Sequence, residues 1–119
     1  MTLVVCLEGI DGLIFAADSR GTVGDPRGLT AVRDTHIKLF KLTNKVGILS
    51  YGQAELANQL VSEINVSLNP SDLYFTAVFK KTYQKIREKF NEWFTRFPID
   101  KRPLVGFIVG GLEENGDKK

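Results

Sequence analysis

The apolar residues of this chain change period once, and that change constrains the fold more than any other feature. Before Gly52 they come in short runs, and from Gln53 onward they come at helical spacing. Leu3 to Leu7 is rich in Val and reads as a buried strand. Gly9-Ile10-Asp11-Gly12 supplies turn chemistry and Leu13 to Ala17 is a second apolar run, so a β-hairpin is expected. Residues Gly21 to Asp34 hold three glycines and Pro26 with few large apolar groups, and read mostly as loop with room for a short strand at the end. Lys38 to Lys41 and Lys45 to Tyr51 flank Thr43-Asn44 and read as a second hairpin.

Beyond Gln53, residues Leu56, Ala57, Leu60, Val61 and Ile64 fall on one helix face. Asn69-Pro70-Ser71 breaks that helix, with Ser71 or Asp72 as the expected cap of the next. The second helix carries Phe75, Val78, Phe79, Ile86, Phe90, Trp93 and Phe94 on one broad face and is ended by Pro98. Leu104 to Val109 is strand-like and closed by Gly110-Gly111, and Glu113 to Lys119 is polar. The order β-β-loop-β-β-α-α-β predicts a layered α+β domain with mainly antiparallel sheet. The strand runs are apolar on both faces, so both faces of the sheet need cover. Two helices can supply only one side, which leaves further sequence, a partner, or both to supply the other.

The length of 119 residues fits one domain spanning 1–119. Sixteen basic residues against fourteen acidic ones leave a net charge of +2, too small to argue for a nucleic-acid partner or an anionic membrane. No apolar run approaches the ~20 residues of a membrane span, and Glu8 and Asp11 interrupt what would otherwise resemble a leader. The single cysteine, Cys6, excludes an internal disulfide or a multi-cysteine metal site, and a reducing, cytoplasmic setting is expected. Cys6 reads as a core thiol. The one histidine, His36, is assigned no role, and the aromatic residues of the second helix read as packing groups rather than a base-stacking surface.

The chemistry lies in a set of residues. Thr2 follows the initiator methionine, and a small second residue permits that methionine to be removed. Thr2 would then carry a free α-amine, whose ordinary pKa of about 7.7–8.0 lets it act as a base toward the neighbouring hydroxyl. A retained Met1 would tie that nitrogen up as an amide. Three further stretches matter: Ala16-Ala17-Asp18-Ser19-Arg20, Lys38-Leu39-Phe40-Lys41-Leu42, and Ile48-Leu49-Ser50-Tyr51-Gly52. Taken singly, Asp18 can be a strand-end ion pair with Arg20, Lys38 a solvated strand lysine, and Gly52 a break before a helix.

Together, the stretches TLVVCLEGIDGLIFAADSR, KLFKL, VGILSYGQAELANQLV and LVGFIVGG resemble proteasome β-subunits and their bacterial relatives, the proteasome-type N-terminal-nucleophile hydrolases. The resemblance runs through most of the chain. It implies part of a four-layer αββα sandwich, with antiparallel sheets and two consecutive helices on one face. Members of that family are longer, so the chain would be an incomplete domain, the first half of the fold. By resemblance Thr2 is the nucleophile, Asp18 the carboxylate at the end of the second strand, Lys38 the lysine before the third, and Gly52 the oxyanion-hole glycine. The specificity pocket would involve the loop after Asp18 and the region from Lys45 to Tyr51. The implied substrate is a peptide or unfolded protein. The implied partners are copies of the chain in a homo-oligomeric ring or other proteasome-like subunits, with no cofactor or metal. Two alternatives stand beside it: a non-catalytic structural subunit of such an assembly, and an amidohydrolase or ligase acting on a different amide.

Overall fold

A computed structural model describes residues 2–24, 27, 30–33 and 35–119. Every strand in it is paired antiparallel. β1 (Val4–Gly9) and β2 (Gly12–Ala17) form the first hairpin, with Cys6 opposite Phe15 and Leu7 opposite Ile14. β3 (Gly21–Gly24) pairs with β4 (Thr30–Arg33). The expected loop over 21–34 is thus corrected: its last part is the short strand, but its first part is a strand as well. Residues 25, 26, 28, 29 and 34 of that stretch lie outside the described residues. β5 (Leu39–Thr43), β6 (Val46–Gly52) and β7 (Val105–Gly111) form a three-stranded sheet with β6 in the middle.

α1 (Ala54–Ser67) buries Leu56, Ala57, Leu60, Val61 and Ile64, the face its spacing predicts. α2 (Phe75–Phe94) packs beside it. The core joins Val61 and Ile64 of α1 to Ile48 of β6, with Phe40, Leu42, Ile86, Phe107 and Val109 around them. Strand alternation therefore turns Phe40, Ile48 and Val109, which are cross-strand neighbours, toward the helices. Leu39, Leu49 and Ile108 face the opposite way, and Leu49 is fully buried there. What covers it is the β1–β2 hairpin, whose Phe15 ring lies over Gly47 and Gly110. The molecule is mixed α+β: two helices, a central sheet and a hairpin stacked in that order. The hairpin's own outward side is bare, with Leu3, Leu7 and Ile14 each more than half exposed.

Several local expectations are corrected. The run expected to stop at Val109 extends by two residues, and Gly110 and Gly111 are the last two residues of β7. A Cβ on Gly110 would sit 2.7 Å from Phe15 Cζ, and one on Gly111 would sit 2.5 Å from the Lys45 carbonyl oxygen. Close approach therefore demands these glycines. Neither Ser71 nor Asp72 caps α2, whose N-cap is Tyr74. Asp72 instead accepts the Asn69 N–H at 2.8 Å and the Lys81 ammonium at 2.5 Å, tying the inter-helix loop to α2. Phe79 is not on the buried face, which is made by Val78 and Thr82; it stacks with Phe75 and Tyr83 in a row along the outer side. After β7 the chain turns at Gly116 and comes back to pair Lys119 with Gly111. Among the described residues no helix is long and apolar enough to cross a membrane.

Candidate functional site

β2 ends at Ala17, and Asp18 begins the exit from the hairpin. Its N–H donates to the Leu3 carbonyl at 3.0 Å, and its Oδ1 accepts the Leu3 N–H at 3.0 Å. The start of β1 is thereby held to Asp18 from both sides. The same Oδ1 accepts a hydrogen bond from Lys38 Nζ at 2.9 Å. Lys38 Nζ donates a second bond, at 2.7 Å, to the Arg20 carbonyl.

Lys38 is brought there by two main-chain links. Its carbonyl accepts the Ser50 N–H at 2.8 Å, which extends the β5–β6 ladder by one residue. Two residues earlier, the His36 N–H donates to the Ser19 carbonyl at 2.8 Å and fastens the segment to the end of β2. Lys38 is the one buried charged side chain among the described residues, at 5% exposure. A buried ammonium is tolerated only with a counter-charge and hydrogen-bond acceptors, and Asp18 and Arg20 supply both. The hydrogen bond from Lys38 is the main reason the Asp18 carboxyl lies below the usual carboxylate range, and the Leu3 N–H adds to it.

Asp18 and Lys38, predicted from stretches twenty residues apart, are thus in direct contact. Thr2 is adjacent but not joined to them. It is half-buried and lies two residues before the start of β1. Its carbonyl carbon is bonded to Leu3 N, which shares Asp18 Oδ1 with Lys38 Nζ, so those nitrogens are no further apart than two hydrogen-bond lengths. Among the described residues the Thr2 hydroxyl has no hydrogen-bond partner. Met1, whose removal the chemistry of Thr2 requires, lies outside the described residues.

Gly52 ends β6 opposite Val105 with φ +95°, a conformation that favours glycine. A Cβ there would lie 2.3 Å from the Leu104 carbonyl oxygen. The close approach expected of a substrate carbonyl is made here by Leu104. Amide direction alternates along β6: Ser50 N–H points to Lys38 and Gln53 N–H donates to Leu104 at 2.9 Å. Gly52 shares its parity with Ser50, so its N–H belongs to the row directed at the Lys38 side. No hydrogen bond joins Gly52 to Asp18 or Lys38 among the described residues.

A cavity of about 370 Å³ opens beside the Lys38 segment, lined by Thr35, His36, Ile37 and Phe40 and by Asn58 and Ser62 of α1. The region expected for specificity, after Asp18 and along Lys45 to Tyr51, does not line it. The positioning partners that sequence reasoning missed act through their main chains: the Arg20 carbonyl, the Leu3 N–H and the His36 N–H. No side-chain pattern announces such groups. No protein-family model matches the chain, and no curated protein sequence matches it significantly.

Proposed function

We propose that the chain is the first part of a proteasome-type N-terminal-nucleophile hydrolase that cleaves peptide bonds by acyl transfer through Thr2. The observation that carries this reading is the sharing of one Asp18 oxygen by the Lys38 ammonium and the backbone N–H that follows Thr2. That arrangement puts a positive charge near the Thr2 main chain. A cation there disfavours protonation of a free Thr2 α-amine and keeps it available as a base. Asp18 orients the lysine.

In the proposed reaction the α-amine takes the Thr2 hydroxyl proton as Oγ1 attacks the peptide carbonyl. The Gly52 N–H donates to the developing oxyanion, a role worth about 10²–10³ in rate in other hydrolases. The amine leaving group departs with a proton, and water then hydrolyses the Thr2 ester. The cavity beside Lys38 would hold a substrate side chain. The layer order supports the finer fold assignment too: a second helical layer over the exposed Leu3, Leu7 and Ile14 would complete an αββα sandwich, with ring partners or further chain as its source.

The test is an intact-mass measurement of the N-terminus with a peptide-amide hydrolysis assay. Loss of Met1 with turnover abolished by Thr2→Ala is expected, and quantitative retention of Met1 or unchanged turnover in T2A would end the catalytic reading. A non-catalytic structural subunit is the second reading, favoured by the Thr2 hydroxyl's lack of a hydrogen-bond partner among the described residues. A defined high-order oligomer with no turnover on sizing would select it. Hydrolysis and ligation of a different amide separate on product analysis with and without an added amine acceptor.

A further inference from the structure

A second recess lies between the β1–β2 hairpin and the central sheet, a cleft of about 520 Å³ running from Leu39 to the turn that joins β5 and β6. It extends away from the Asp18–Lys38 contact, toward the end of the hairpin where Gly12 turns the chain. Its size is within the range of small-molecule sites. Leu13 and Phe15 from the hairpin and Leu39 from the sheet make it mainly apolar, and Gly47 brings no side chain to the floor.

Two lysines break that apolar character. Lys41 alternates with Phe40 and so shares the hairpin-facing side of β5 with Leu39. Lys45 projects from a turn whose backbone is fixed: its N–H donates to Thr43 Oγ1 at 3.1 Å and its carbonyl accepts the Leu112 N–H at 2.9 Å. Both lysines line the cleft and both are exposed. Neither ammonium has a carboxylate partner among the described residues, whereas Lys38, Lys81, Lys85 and Lys89 each have one. Unpaired cations beside an apolar recess are complementary to a ligand with one anionic end and an apolar body.

We propose that this cleft binds an amphiphilic organic carboxylate, its tail against Leu13 and Phe15 and its carboxylate between Lys41 and Lys45. The site is separate from the Asp18–Lys38 contact and does not depend on Thr2 chemistry. Octanoate is the probe, titrated into the full chain and followed by backbone amide shifts, with octan-1-ol as the uncharged control. One saturable site is expected, with shifts at Leu13, Lys41 and Gly47. The K41M/K45M double variant keeps the aliphatic stems and should bind octanoate about tenfold more weakly, the equivalent of one charge-assisted hydrogen bond, with octanol unchanged. Gly47→Ala should weaken both ligands: its methyl would lie 3.5 Å from Phe15 and 3.6 Å from the Phe40 carbonyl, ordinary contacts that keep the fold while occupying the floor. The amide spectrum of each variant verifies folding, and Lys45→Gln alone, in an exposed turn, replaces the double variant if that one unfolds. Equal affinity for octanoate and octanol, octanoate binding unaffected by the lysine changes, absence of saturation, or tighter binding of a Glu-rich peptide would each overturn the proposal.

Discussion

Replacing Gly52 by alanine separates what the fold asks of this residue from what a reaction would ask. The φ of +95° costs an L-residue about 1–2 kcal/mol. The new methyl would lie 2.3 Å from Leu104 O, 2.9 Å from Val105 Cα and 3.0 Å from the Leu104 carbonyl carbon. All three atoms are backbone at the entry to β7, so no side chain can rotate away, and such overpacking costs about 1–3 kcal/mol. The expected loss is therefore about 2–5 kcal/mol, a large part of the ~5–15 kcal/mol that holds a typical domain folded. Gly116 is the control: its φ is +89° but a Cβ there would meet nothing within 4 Å, so G116A should cost only the conformational share, about 1–2 kcal/mol. Urea denaturation of both variants, compared at unchanged m, measures the difference. If G52A is no less stable than G116A, the β6–β7 crossing is not as described. Lost turnover in G52A would by itself say nothing about an oxyanion role, because the strand end that carries the amide would have moved.

Three further outcomes follow from the packing and charges. Ile64→Ala, in the fully buried core, should cost about 2–5 kcal/mol in a denaturant melt, whereas Val66→Ala, at 84% exposure one turn face away, should stay within about 0.5 kcal/mol. Gly110→Ala should destabilise by about 1–3 kcal/mol through the Phe15 ring, and a double-mutant cycle should show a smaller penalty in a Phe15→Ala background. The Asp18 carboxyl sits below its usual range in the folded chain, so its stabilisation is complete above the unfolded value of about 3.9 and fades as pH falls through the lower folded value. The stability gap between the wild type and Asp18→Asn should accordingly be widest near neutrality and close in strong acid. A gap independent of pH would deny the Lys38 pairing.

The parts of the fold legible from sequence are those where local pattern and tertiary need coincide. The α1 spacing reads correctly because all five apolar positions face one core. β3 was hidden because Gly21 and Gly24 carry turn chemistry, while their ladder partners, Arg33 and Thr30, lie across the intervening loop. Gly110 and Gly111 read as a stop because a strand glycine is justified only by what presses on it, here Phe15 and the Lys45 carbonyl, both remote in sequence. Phe79 read as buried because its type suits a core, but Val78 and Thr82 occupy that face. The Asp18–Lys38 contact spans twenty residues and has no periodic signature. Resemblance named the two residues, and their contact depends on the Leu3, Ser19 and Ser50 backbone links that no residue type encodes.

The most direct measurement is peptide mapping by mass spectrometry after the chain, with Met1 removal verified by intact mass, is treated with a β-lactone. Ring opening by the Thr2 hydroxyl leaves an ester on Oγ1, so a single adduct on Thr2 is expected, formed at least about tenfold more slowly in Lys38→Met, the rate equivalent of roughly 1.4 kcal/mol. An adduct confined to Cys6 or scattered over lysines, or a Thr2 adduct formed as fast without Lys38, would contradict the account.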